Sequence, residues 1–123
     1  MNISTRKVDG VIVVDIIGRM VLGEGARLRE VISTALVDGE RKLLLNLAEL
    51  YYIDSSGLGE IVRAYTCVTK QGGQLQLLKL TNKVRDLLEI TKLCTVLEVH
   101  DDEVQAILCL GRTIESARVA VAG

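Results

Sequence analysis

From Ile3 to Val14 the chain is rich in β-prone residues and is interrupted by Asp9-Gly10. Asp-Gly between two such runs is a two-residue hairpin signal, so Ile3–Val8 and Val11–Ile17 are predicted to be paired strands. Val11–Val14 is an unbroken apolar run rather than an alternation, which puts the second strand nearer the sheet centre. From Leu28 the spacing changes. Leu28, Val31, Ile32, Ala35 and Leu36 recur at steps of three and four, which is one face of a helix. Arg27, Arg29, Glu30 and Asp38 fall on its other faces, and Gly39 supplies a left-handed C-cap.

Leu43–Leu47 has the composition of a strand buried on both faces. A second helical stripe follows in Leu58, Ile61, Val62, Tyr65 and Val68, closed by Gln71-Gly72-Gly73. Gln74–Leu78 is the next strand. Strand, helix and strand within roughly thirty residues is the length of a right-handed parallel crossover. Thr81 or Asn82 can cap a third helix with Val84, Leu87 and Leu88 inward. Thr95–Val99 is predicted as a short last strand. Asp101 and Asp102 favour a final helix start, with Val104, Ile107 and Leu108 as its apolar stripe. Patterning weakens after that, so residues 1–110 are expected to form one domain and 111–123 a helical or disordered tail.

With 123 residues, 49% of them apolar, the chain can bury a single real core. It contains no Phe and no Trp, so that core must be aliphatic. Fifteen basic residues against sixteen acidic ones give a net charge of −1, which offers no electrostatic footprint for nucleic acid or an anionic membrane. Cys67, Cys94 and Cys109 are odd in number and widely spaced, which argues against a disulfide framework and makes buried reduced thiols the expectation. Asp15 interrupts the first apolar run, and no segment is long enough to span a bilayer, so a cytoplasmic protein without membrane insertion is expected.

Most catalytic constellations are missing. His100 is the single histidine, and its neighbours in sequence include no second His or spaced Cys pair, so neither a metal nor a conventional triad is expected. Gly23-Glu24-Gly25 precedes a helix, but Leu28 stands where a dinucleotide fingerprint needs its third glycine. No Walker lysine follows any glycine cluster. No cofactor is expected, and hydrolase chemistry is the remotest of the readings considered.

One stretch remains, Ile53-Asp54-Ser55-Ser56-Gly57-Leu58-Gly59. Asp and Ser at the junction of a buried strand and a helix are what a helix start requires, because their oxygens accept from unpaired first-turn N–H groups. Two adjacent hydroxyls at a helix N-terminus are also a place where a phosphate is tolerated electrostatically. The residues alone leave open a plain cap or a switch, and Ser55 or Ser56. The preceding loop, from Gly18 to Gly25, is apolar for a surface connection and is a candidate contact surface.

Over about Ile3 to Leu110 the chain resembles the STAS family, and within it the bacterial anti-sigma-factor antagonists. The resemblance is carried by Val13–Gly18, by Leu44, Asn46 and Leu47, by the Ile53–Gly59 motif and by Gly72-Gly73-Gln74-Leu75. It implies an α/β fold, a STAS-like mixed central sheet of about five strands with about four helices packed mainly on one face. It also implies that Ser55, directly after Asp54, is the phosphoacceptor, with Asp54, Ser55, Ser56, Gly57 and Leu58 at the partner-binding surface. The implied cycle gives this chain two partners, a kinase and a phosphatase. Unphosphorylated protein binds an anti-sigma factor that is a serine kinase, a sigma factor is freed, and phosphorylation of Ser55 reverses the binding until a phosphatase resets it. The protein itself is then not an enzyme. Where the antagonists carry Gly-x-Leu-Asp after the second strand, this chain has Gly18-Arg19-Met20-Val21, so Val21 replaces the acidic residue and Glu24 is the candidate substitute. Two further roles are consistent with the same motif: a STAS subunit docked on a lipid-type ABC transporter, or a scaffold of a stress-sensing assembly. Neither needs a phosphate.

Overall fold

A computed structural model of the chain describes residues 1–111. The elements are β1 (Asn2–Val8), β2 (Val11–Met20), α1 (Gly25–Val37), β3 (Lys42–Ile53), α2 (Ser55–Lys70), β4 (Gln74–Leu78), α3 (Asn82–Ile90), a 3₁₀ turn (Leu93–Thr95) and β5 (Val99–His100). A final helix, α4, occupies residues 103–111. The tail expected at 111–123 lies, from 112 on, outside the described residues.

The five strands lie in sequential order, β1-β2-β3-β4-β5. Only β1 runs against its neighbour; the other pairs are parallel. The β1–β2 turn has positive φ at both Asp9 (50°) and Gly10 (82°), the combination a type I′ hairpin demands. Each parallel step is a crossover through a helix, and α1, α2 and α3 all contribute to the larger core cluster on one face of the sheet. Leu28, Ile32 and Leu36 from α1, Leu58, Ile61 and Val68 from α2, and Val84 and Leu88 from α3 meet Leu43, Leu45 and Leu47 of β3 there. β3 alternates, so Leu44 points the other way. It joins Val11, Val13 and Leu78 under Ala106, Ile107 and Leu110 of α4. Burial on both faces is why Leu43, Leu44, Leu45 and Leu47 are all apolar, with half-buried Asn46 the polar exception.

Four features differ from the sequence expectations. First, β3 continues well past Leu47. Its later buried residues, Leu47, Leu50 and Ile53, are three apart, a spacing foreign to a regular strand and closer to that of a helix. The register against β2 shifts between Asp15 and Ile17 and again between Gly18 and Arg19. Each shift adds one residue to β3 and resets its alternation, and the Asn46 side chain accepts the Ala48 N–H at 3.2 Å beside the first of them. Second, Thr95–Val99 is not a strand. The 3₁₀ turn takes its start, and β5 is confined to Val99 and His100, paired with Leu77 and Leu78. Third, α4 is rotated relative to the expected stripe: Ala106, Ile107 and Leu110 are buried, whereas Val104 and Leu108 are exposed. Fourth, the thiols are not buried. Cys67 and Cys94 are exposed and Cys109 is half-buried, and no disulfide joins them.

The side chain of Thr81 does not cap α3; its hydroxyl donates to the Leu50 carbonyl at 2.8 Å and ties that helix to β3. Asp102 does cap α4, accepting the Gln105 N–H at 3.0 Å.

One forked cation fastens α4 to the hairpin. Arg6 Nε donates to Asp15 Oδ2 at 2.8 Å, and its Nη1 donates to Glu103 Oε2 at 3.0 Å. Asn46 Nδ2 adds a 2.7 Å bond to Asp15 Oδ1. The hydrogen bonds from Arg6 hold both carboxyls below their ordinary values of 3.8 (Asp15) and 4.5 (Glu103), against the opposing effect of burial. A carboxyl lowered in the folded state adds stability that is complete above its unfolded value and is lost as pH falls through the folded one. Stability is therefore expected to decline below about pH 4 partly through this cluster. Arg6 is 40% exposed, so screening keeps Arg6→Met to a loss of about 0.5–1 kcal/mol at neutral pH. Urea unfolding over a pH series should show that loss together with a shallower acid limb.

Candidate functional site

The site is built where β3 ends. Asp54 leaves the strand in extended conformation, φ −102° and ψ −176°, as the N-cap of α2. Its two carboxylate oxygens have different tasks. Oδ1 accepts the Gly57 N–H at 2.8 Å and caps the helix, while Oδ2 accepts the Leu22 N–H at 3.2 Å from the loop after β2. Its backbone completes the link: the Asp54 N–H donates to the Met20 carbonyl at 3.3 Å. Asp54 is thus a clamp between the β2–α1 loop and the start of α2, and it is half-buried in that role.

The clamp leaves the two serines outside. Ser55 and Ser56 are the first residues of α2, and both are exposed. The next two first-turn N–H groups are already used, Gly57 by the Asp54 side chain and Leu58 by the Asp54 carbonyl at 3.0 Å. The N–H groups of Ser55 and Ser56 have no acceptor among the described residues, so the positive end of the helix opens toward the serine hydroxyls.

Gly57 explains why the loop can sit so close. A Cβ on it would lie 2.2 Å from the Met20 carbonyl oxygen and 2.8 Å from Ile53 Cγ1. Gly57 is buried for this reason, and Leu58, 6% exposed, belongs to the core. Of the residues assigned to a partner surface, then, Ser55 and Ser56 present side chains outward, whereas Gly57 and Leu58 shape the turn from beneath.

The β2–α1 loop frames the serines. Val21 is half-buried and its carbonyl accepts the Glu24 N–H at 3.0 Å, closing the turn that leads into α1. Glu24 occupies the N-cap position of α1 without a side-chain capping bond. Between them Leu22 is 80% exposed, although its own N–H is held by the Asp54 carboxylate. An exposed leucine fixed next to the serine turn is an apolar contact point that motif spacing did not single out, though the apolar loop carrying it had signalled a surface. Tyr51 and Tyr52 at the end of β3 are also exposed. The Tyr52 ring lies under two cations, Arg19 at 5.2 Å and Lys83 at 5.4 Å from its centroid, a cation–π arrangement that the sequence spacing conceals.

These features define a single-sheet α/β domain that presents a rigidly capped, hydroxyl-bearing helix start to its surroundings. A model of the STAS domain matches residues 2–106, and the chain belongs to that family. Among its relatives is an anti-sigma-B factor antagonist of Staphylococcus aureus, 29% identical over 82% of this chain and 94% of the relative. An anti-sigma F factor antagonist of Paenibacillus polymyxa is 32% identical over 53% of this chain, an alignment that spans 56% of that protein's length. The fold is that of a putative anti-sigma factor antagonist of Thermotoga maritima, with a TM-score of 0.82 at 24% identity, covering 88% of this chain and 93% of the other. No helix among the described residues is long and apolar enough to cross a membrane.

Proposed function

We propose that this chain is a cytoplasmic anti-sigma-factor antagonist controlled by phosphorylation of Ser55, with residues 1–110 as its working domain. The observation that carries the reading is the exposed Ser55 side chain at the first position of α2, beside exposed Leu22 and above the Asp54 clamp. Its partner is an anti-sigma factor that is also a serine kinase. The unmodified face binds that partner through the serine turn and the Val21–Glu24 loop, and a sigma factor is released. The partner then transfers the γ-phosphoryl group of ATP to the Ser55 hydroxyl oxygen; ADP leaves and the hydroxyl proton is lost. A phosphatase restores the hydroxyl. DNA is not contacted directly, in keeping with the net charge of −1.

Choosing Ser55 over Ser56 rests on the family resemblance, since both hydroxyls lie at the open end of the helix. Val21 and Glu24 give the loop a character of its own: a half-buried aliphatic residue where the antagonists commonly have an acid, and a glutamate three positions on. Incubation with the cognate kinase and ATP is expected to add one phosphate, mapped to Ser55 by mass spectrometry. Ser55→Ala should abolish it and Ser56→Ala should not. A phosphate that follows Ser56 instead would refute the assignment.

A further inference from the structure

On the sheet face covered by α4, three donor side chains of different chemistry converge, two from the last strand region and one from the helix. One ligand atom each from Glu98, His100 and Cys109 lies within 4.8 Å of the others. We propose that these residues bind a borderline-soft divalent cation of the zinc class, linking α4 to β5 and the residue that precedes it.

The supporting observation is the polar group behind them. Gln76 of β4 is 6% exposed and is the buried polar residue of the described core. Its Nε2 donates to Glu98 Oε2 at 2.9 Å, and its Oε1 is 2.8 Å from His100 Nε2. An ionised carboxylate can only accept, so Glu98 fixes which end of the amide faces it. The amide oxygen can only accept as well, so the hydrogen of a neutral imidazole resides on Nε2, and Nδ1 retains the lone pair. Gln76 therefore orients two ligands at once, setting the tautomer of one and holding one oxygen of the other. Metal-binding histidines and carboxylates characteristically receive this kind of support from outside the coordination sphere.

Thiolate, imidazole and carboxylate together match Zn²⁺ or its spectroscopic substitute Co²⁺ and do not match Mg²⁺ or Ca²⁺, which take oxygen ligands. Bonds of 2.0–2.3 Å in a tetrahedron place neighbouring donors roughly 3.3–3.8 Å apart, a contraction that side-chain rotation can supply. A water completes four-coordination. Bound there, the cation would fasten the C-terminal part of α4, while Arg6 fastens the other end through Glu103.

Cobalt titration of the full chain provides the test, in a Cys67→Ser/Cys94→Ser background that removes both exposed thiols. The proposal predicts saturation at one equivalent with a thiolate-to-cobalt charge-transfer band, and a rise in melting temperature with zinc. Cys109→Ser should eliminate the band while circular dichroism shows the fold retained. His100→Gln and Glu98→Gln should each weaken binding at least about 10-fold, and Gln76→Met by about 10- to 100-fold, the range seen when outer support is removed. Absence of a thiolate band, or a band whose titration is unchanged by His100→Gln and Glu98→Gln, would overturn the proposal; the latter would mean that the cysteine binds cobalt on its own.

Discussion

Ser55→Glu, and phosphorylation of Ser55 itself, should cut affinity for the anti-sigma factor by about 30- to 4,000-fold, whereas Ser55→Ala should bind like the wild type. The range follows from the cost of burying an unpaired charge at an interface, about 2–5 kcal/mol. Ser55 is exposed in the free protein and opens onto the N-terminus of α2, so a phosphate there does not disturb the fold. The cost arises only on docking. The adjacent clamp carboxylate of Asp54 adds like charge, and Leu22, 80% exposed alone, is the surface a partner would desolvate. A phosphate contributes nearly two negative charges at neutral pH, so glutamate should be the milder perturbation of the two. Isothermal titration of each variant against the partner checks the ranking; equal affinity for the alanine and glutamate variants would remove charge as the operative cause.

Two glycines of the same helix should respond in opposite directions to alanine. At Gly57 a Cβ would sit 2.2 Å from a backbone oxygen, that of Met20. The carbonyl cannot retreat without stretching its 3.3 Å bond from the Asp54 N–H. Overpacking of this kind costs about 1–3 kcal/mol, enough to outweigh the helix-propensity gain. Gly59 has nothing within 4 Å of its Cβ position, so Gly59→Ala should stabilise the protein by up to about 1 kcal/mol. Urea unfolding of the two variants measures the contrast directly. Gly57→Ala should also weaken partner binding, because it displaces the loop that carries Leu22; a Gly57→Ala protein as stable as Gly59→Ala would show that the close approach of loop and helix is not real.

The parts of this architecture that were legible in sequence are those governed by local spacing. Asp9-Gly10 marks its hairpin because both residues must accept positive φ, and Leu43, Leu44, Leu45 and Leu47 are all apolar because α1–α3 cover one side and α4 the other. The motif at Asp54–Gly59 likewise declares a helix start. What remained hidden depends on pairing between distant segments. Leu47, Leu50 and Ile53, three apart, do not read as a strand until the two register shifts against β2 are known. Val104 and Leu108 obey the helical period as well as Ala106 and Leu110 do, and only the position of α4 on the sheet decides which face is buried. The second task of Asp54, holding the Leu22 N–H, belongs to the crossover that brings the two loops side by side. His100 appeared isolated for the same reason: Cys109 and Gln76 reach it only through the parallel sheet and the return of α4.

The central claim is that the Ser55 hydroxyl switches the complex with the partner. It is tested most directly by adding ATP to preformed complexes of the kinase with wild-type protein and with Ser55→Ala, and following dissociation as phosphate is incorporated. The wild-type complex should dissolve in step with phosphorylation of Ser55, and the Ser55→Ala complex should persist. Equal dissociation of both complexes, or a wild-type complex that survives full phosphorylation of Ser55, would contradict it.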